Sequence, residues 1–161
     1  MTKIRLLLAL VLFASYCVAQ KQPAQLPSLT KLRNLYNPDA TFQKMLPSKG
    51  KIVLVFYDPG CGHCQELGEN ISKNIAKFQQ SSIFFITMND KEYVDGYINM
   101  FAKGLKTRKN VSFWKEESVE FIEKFNPVNY PATYIYDAAT KKLVKSFQGE
   151  SKTAEIARFV Q

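Results

Sequence analysis

Histidine occurs once in the 161 residues, at His63, cysteine three times and tryptophan once. That shortage narrows the chemistry. A structural zinc site takes four Cys or His ligands, and the single histidine lies between two cysteines in Cys61-Gly62-His63-Cys64, so no metal centre is expected. Covalent haem attachment needs histidine directly after the second cysteine, where Gln65 stands. Acidic residues are also few, 14 against 22 Lys and Arg, for a formal charge of +8. A solvated surface rich in lysine accounts for this excess. The one dense basic run, Lys106-Thr107-Arg108-Lys109, is short and has no aromatics interleaved, so no nucleic-acid site is expected. No apolar run has the length of a bilayer span, and there is no internal repeat or low-complexity segment.

What is present begins at the N-terminus. Lys3 and Arg5 precede a nine-residue apolar stretch, Leu6 to Ala14, and Cys17-Val18-Ala19 offers a small-residue cleavage site before Gln20. This is the pattern of a secretory signal over residues 1–19. A lipoprotein signal acylated at Cys17 is the competing reading, and it alone brings membrane-surface association; such signals place a small residue before the cysteine, where this chain has Tyr16. Removing the signal takes Lys3 and Arg5 with it and lowers the charge from +8 to +6. It also leaves Cys61 and Cys64 as the only cysteines. A loop that small cannot staple a fold, so the pair is explained by reactivity. Residues 20–30, polar with Pro23 and Pro27, read as a flexible tether, and 31–161 as one domain.

The domain is organised around Lys51 to Gln65. Six apolar or aromatic residues, Ile52 to Tyr57, predict a strand buried on both faces. Asp58-Pro59-Gly60 ends it, and Leu67, Ile71, Ile75 and Phe78 form the apolar stripe of a following helix. Two cysteines where that helix starts make a redox site with a physical basis: helix N–H groups and the dipole stabilise a thiolate at the first, and the second is near enough to close a disulfide. Ser81 to Met88 predicts a parallel neighbour strand. A turn of helix is expected at Lys31 to Tyr36 and a short helix around Phe42, Met45 and Leu46. Further helices are expected over Tyr93 to Leu105 and Glu116 to Phe125, with a short extended piece at Val111 to Trp114. Thr133–Tyr136 and Leu143–Phe147 read as a hairpin, and Ser151 as the cap of a last helix.

Strand, CxxC, helix and strand, then helix, Pro131, hairpin and closing helix resemble the thioredoxin fold, over about residues 40 to 161. The resemblance implies the α/β class, a three-layer α/β/α sandwich with a central mixed sheet. Cys61-Gly62-His63-Cys64 matches the motif of protein disulfide isomerases, whereas Pro131-Ala132-Thr133-Tyr134-Ile135-Tyr136-Asp137 and the long segment Lys91 to Asn129 resemble extracytoplasmic thioredoxin-like reductases of bacteria. The family implies a cis peptide at Pro131, with Gly62, Tyr130 and Pro131 meeting the substrate. It also implies a mechanism: Cys61 attacks a substrate disulfide, Cys64 resolves the mixed disulfide, and a protonated His63 favours the Cys61 thiolate.

Three departures from the family pattern bear on that mechanism. Gly60 replaces the usual tryptophan before the first cysteine, and Tyr130 a small or β-branched residue. Val55 replaces a buried acid that helps to deprotonate the second cysteine, leaving Asp58 or Glu66 as substitute proton acceptors, or as plain surface carboxylates. The expected activity is protein thiol–disulfide exchange in a bacterial periplasm or outside the cell, without a cofactor. Its partners are cysteine-containing substrate proteins and a redox protein that resets the pair. A metal-delivery module and a redox-inert binding module on the same fold are the alternatives. Asn70-Ile71-Ser72 and Asn110-Val111-Ser112 are formal glycosylation sequons, read as chance matches.

Overall fold

A computed structural model of the protein describes residues 22–160; the signal reading for 1–19, Cys17 included, lies outside them. Six strands form one mixed sheet: β1 (Leu32–Asn34), β2 (Lys51–Phe56), β3 (Ser81–Thr87), β4 (Val111–Glu116), β5 (Ala132–Asp137) and β6 (Leu143–Gln148), in the order β1-β4-β3-β2-β5-β6. As the unbroken apolar run requires, β2 is central. It runs parallel to β3, with Val55 opposite Phe85, and antiparallel to β5, with Val55 opposite Thr133. β4 is parallel to β3, and β1 and β6 close the edges antiparallel to their neighbours.

Alternation along β2 feeds two cores. Val53 and Val55 face a layer made by α2 (Gly62–Lys73), α3 (Lys91–Met100) and α5 (Thr153–Ala157), through Leu67, Ile71, Tyr97 and Ile156. Ile52, Leu54 and Phe56 face the other layer, built from α1 (Phe42–Met45) and α4 (Glu120–Phe125) through Phe42, Phe121 and Phe125. The expected three-layer sandwich is therefore present, with the cysteines at the C-terminal end of β2.

Several elements differ from the sequence reading. Residues 31–36 are not helical: Leu32 and Asn34 point inward and Arg33 outward as edge strand β1, which ends where Asn34 Oδ1 accepts the N–H groups of Tyr36 and Asn37, each at 2.9 Å. The described part of the expected tether is docked. Leu26 N–H donates to the Lys141 carbonyl at 2.8 Å, Leu143 N–H to that of Ala24 at 2.9 Å, and Leu29 is buried in the second core. β4 is a full strand through Glu116, so α4 starts only at Glu120. The apolar stripe after the cysteines spans two elements, since α2 stops at Lys73 and Ile75–Phe78 form a separate 3-10 turn. Ser151 caps nothing; its hydroxyl donates to Glu66 Oε2 at 2.7 Å. Both sequon asparagines hold structural bonds, Asn70 Nδ2 to the Ser151 carbonyl and Asn110 Nδ2 to those of Phe78 and Ser81.

Candidate active site

The turn after β2 is built from its own residues. Asp58 Oδ1 accepts the Gly60 N–H at 2.7 Å, and the Asp58 carbonyl accepts the Cys61 N–H at 3.0 Å. This Asx-type turn reverses the chain and makes Cys61 the N-cap of α2, with extended φ and ψ of −79° and 124°. No acidic residue occupies the first helical turn. The positive end of the dipole and its free N–H groups therefore act on Cys61 with no carboxylate within that helical turn.

The two thiols, both free, occupy opposite environments: Cys61 is partly exposed, and Cys64, one turn on, is fully buried. Burial pushes the Cys64 thiol far above its ordinary range. The Asp58 backbone N–H opposes that shift, while the adjacent Cys61 thiol and the Asp58 carboxylate add to it. Cys64 is thus held protonated beside an accessible partner. The contrast suits an exposed sulfur that meets a substrate and a sheltered one that acts second.

Across the cleft, the Tyr130–Pro131 peptide is cis. The Tyr130 carbonyl lies 3.9 Å from Cys61 Sγ and accepts its S–H. The Tyr130 ring, 39% exposed, tilts over Phe56 at 5.5 Å between centroids. Phe56, Tyr57, Asp58, Met88, Asn89 and Tyr130 line a cavity of about 100 Å³, with neither cysteine in its wall. A wider depression of about 300 Å³, around Lys49, Gly50, Gln80 and Asn110, lies at the opposite ends of the strands, away from the cysteines.

The predicted residues are thereby sorted. Cys61, Cys64, Tyr130 and Pro131 converge. His63 projects into solvent, its Nδ1 3.9 Å from Glu66 Oε2. Gly62 is exposed and has no heavy atom within 4 Å of where a Cβ would stand. Glu66 is engaged with Ser151 and does not hydrogen-bond Cys64; the Asp58 carboxylate is felt by Cys64. Val55, at the position of the missing acid, is buried in the same core cluster as Cys64. Among the described residues no group of three or more His, Cys, Asp or Glu comes together to hold a metal, and no helix is long and apolar enough to cross a membrane.

Two tyrosines missed by the sequence reading stand behind the site. Tyr57, the residue after β2, is buried with its hydroxyl lacking a hydrogen-bond partner among the described residues. Burial pushes that phenol well above its usual range, reinforced by Tyr97, Tyr36, Cys64 and Asp58. Tyr97, on α3, donates its hydroxyl to the Cys64 carbonyl at 3.0 Å. In the sequence both fit ordinary apolar positions, because periodicity marks which face is buried and not what a phenol touches there.

Comparison with known proteins agrees with the fold. The thioredoxin family profile matches residues 33–107. DsbF of MTB, solved in mixed oxidised and reduced forms, superimposes with a TM-score of 0.67 at 20% identity, over 87% of this chain and 97% of that one. The thioredoxin domain of a thiol-disulfide oxidoreductase from Bacteroides vulgatus gives 0.63 at 17%, over 88% and 99%. A secreted Mycobacterium tuberculosis disulfide oxidoreductase homologous to E. coli DsbE gives 0.57 at 16%, over 73% and 84%. No curated protein matches by sequence.

Proposed function

We propose that this chain, which has the thioredoxin fold, is an extracytoplasmic protein thiol–disulfide oxidoreductase. The observation that carries the reading is the pairing of a partly exposed Cys61 at a helix N-terminus with a buried Cys64, facing the Tyr130 carbonyl at 3.9 Å. The Cys61 thiolate attacks one sulfur of a substrate disulfide. The Cys61–substrate disulfide forms, and the other substrate sulfur leaves with a proton from solvent. Cys64 then gives up its proton and attacks Cys61 Sγ, closing Cys61–Cys64 while the second substrate sulfur departs. The substrate has gained two electrons and two protons, both lost by the cysteine pair; the reverse sequence oxidises a substrate dithiol.

Asp58 is the acceptor we assign to the Cys64 proton, since its charge acts on that thiol, whereas Glu66, bonded to Ser151, is not among the groups that act on it. His63, at the helix start, is the residue that tunes the pair. The substrates are cysteine-containing proteins, with a separate redox protein restoring the pair. The extracytoplasmic location draws its support from the signal pattern of residues 1–19 and from the secreted Mycobacterium tuberculosis relative.

The test is the reduction potential of Cys61–Cys64 in glutathione buffers, read by thiol trapping and mass. A value near about −270 mV makes the protein a reductase in need of an electron donor, and about −180 to −120 mV an isomerase or oxidase. A pair that forms no disulfide at any glutathione ratio, in a protein whose Cys64→Ala variant captures no mixed disulfide, sinks the proposal.

A further inference from the structure

Tyr97 sits in the middle of α3, fully packed, yet its hydroxyl ends on the backbone of the active-site helix 33 residues earlier. The bond to the Cys64 carbonyl, at 3.0 Å, is buried. It exists because residue 68 is glycine: a Cβ there would lie 2.2 Å from Tyr97 Oη and 2.7 Å from Cζ. Atoms in real structures do not approach so closely, so any side chain at 68 expels the phenol. The ring is fixed from the sheet side as well. Tyr57 packs on it at 4.8 Å between centroids and Phe85 at 6.4 Å, while Phe101, the C-cap of α3 itself, adds a contact at 6.2 Å. A rigid aromatic cluster rooted in β2 and β3 thus holds the carbonyl of the buried cysteine.

We infer that Tyr97, admitted by Gly68, is a positioning residue for the resolving step of the exchange proposed above, on which this inference rests. To resolve the mixed disulfide, Cys64 Sγ must approach Cys61 Sγ in line with the bond to the departing substrate sulfur. The new Cys61–Cys64 bond forms as that bond breaks, and the substrate sulfur leaves as a thiolate. A nucleophile displaced by a fraction of an ångström loses much of its advantage. Tyr97 anchors the backbone from which Cys64 Sγ hangs. Cys61 precedes the helix as its N-cap and is positioned by Asp58 and Tyr130 instead. Loss of the Tyr97 hydroxyl therefore slows resolution and spares attack.

The two steps separate with 5,5′-dithiobis(2-nitrobenzoate) added to an excess of reduced protein. One thionitrobenzoate is released when Cys61 attacks and a second when Cys64 displaces it, so the colour appears in two phases. Tyr97→Phe, which keeps the ring, is expected to leave the first phase unchanged and slow the second about fivefold, the scale of one buried hydrogen bond. Gly68→Ala reaches the same contact from the other side and is expected to slow the second phase further. If Gly68→Ala does not fold, Tyr97→Phe decides alone. A second phase unchanged in Tyr97→Phe, or both phases slowed in equal proportion, overturns the inference and leaves the exchange activity standing. Wild-type protein that releases only one equivalent defeats the exchange reading itself, and this inference with it.

Discussion

Tyr130 turns its backbone carbonyl toward Cys61 Sγ at 3.9 Å, although 69 residues separate them. The side chain goes elsewhere, onto Phe56. A bulky residue before Pro131 is therefore accommodated beside the thiol, because Phe56, stacked in turn on Phe121 at 4.7 Å, gives the ring an apolar seat. The sulfur remains partly exposed.

Alkylation with iodoacetamide at neutral pH should label the folded, reduced chain lacking residues 1–19 once, at Cys61. Cys64 is inaccessible, and burial raises its thiol and favours the protonated, unreactive form at neutral pH. Peptide mass mapping before and after denaturation reads this directly; equal labelling of both cysteines in the native protein contradicts the assigned roles.

His63→Pro should make the pair more reducing. Proline is tolerated in the first helical turn, where the N–H it removes has no intrahelical partner. The substitution takes away a side chain that, when protonated, favours the Cys61 thiolate and so the reduced form. The potential is expected to fall by roughly 30 mV or more, a factor of about ten in the equilibrium. An unchanged potential removes His63 from the mechanism.

Glu116 is buried at the end of β4 and accepts bonds from Ser118 N–H at 2.9 Å, Ser118 Oγ at 2.7 Å and Phe121 N–H at 3.1 Å. It thereby ties β4 to the start of α4, whose Phe121 supports Phe56. Replacing it with alanine leaves the buried Phe121 N–H and the half-buried Ser118 donors without this partner and should cost about 2 kcal/mol in denaturant unfolding. Glu116→Gln, which keeps one acceptor, should cost less. Equal stability of wild type and Glu116→Ala argues that water reaches these donors.

A pH effect is expected at the contact between α3 and the chain after β1. Bonds from Lys91 and Tyr36, then the charge of Lys106, hold the Asp95 carboxyl down at about 2 from an ordinary 3.8. Tyr36 Oη donates at 2.7 Å, and Lys106 Nζ stands 3.9 Å over the Tyr36 ring. A depressed carboxyl contributes stability that is complete above its unfolded value and is lost as pH falls through the folded one. The difference in melting temperature between wild type and Asp95→Asn should thus be present at neutral pH and vanish near pH 2. A constant difference across that window excludes the charge of Asp95 as its source.

The sequence alone determined the parts that announce themselves locally. The apolar run Ile52 to Tyr57, the turn at Asp58-Pro59-Gly60, Cys61 opening a helix, the second run at Ser81 and the hairpin after Pro131 all carry periodicity or turn chemistry within a few residues, and together they indicated the fold. Tertiary structure decided what depends on partners far away in the chain. Leu32–Asn34 is too short for any period and becomes a strand only because β4 offers an open edge. Residues 22–30 look like a linker until Leu29 finds the second core and Ala24 and Leu26 meet the hairpin. Glu66 and Asp58 are indistinguishable as acidic letters; only the folded chain sets Glu66 against the Ser151 hydroxyl, 85 residues on. The bond from Tyr97 to Cys64 needs a glycine in one helix to admit a hydroxyl from another. No local pattern records such a contact, because it is a meeting of two surfaces and each helix's periodicity reports only its own buried face.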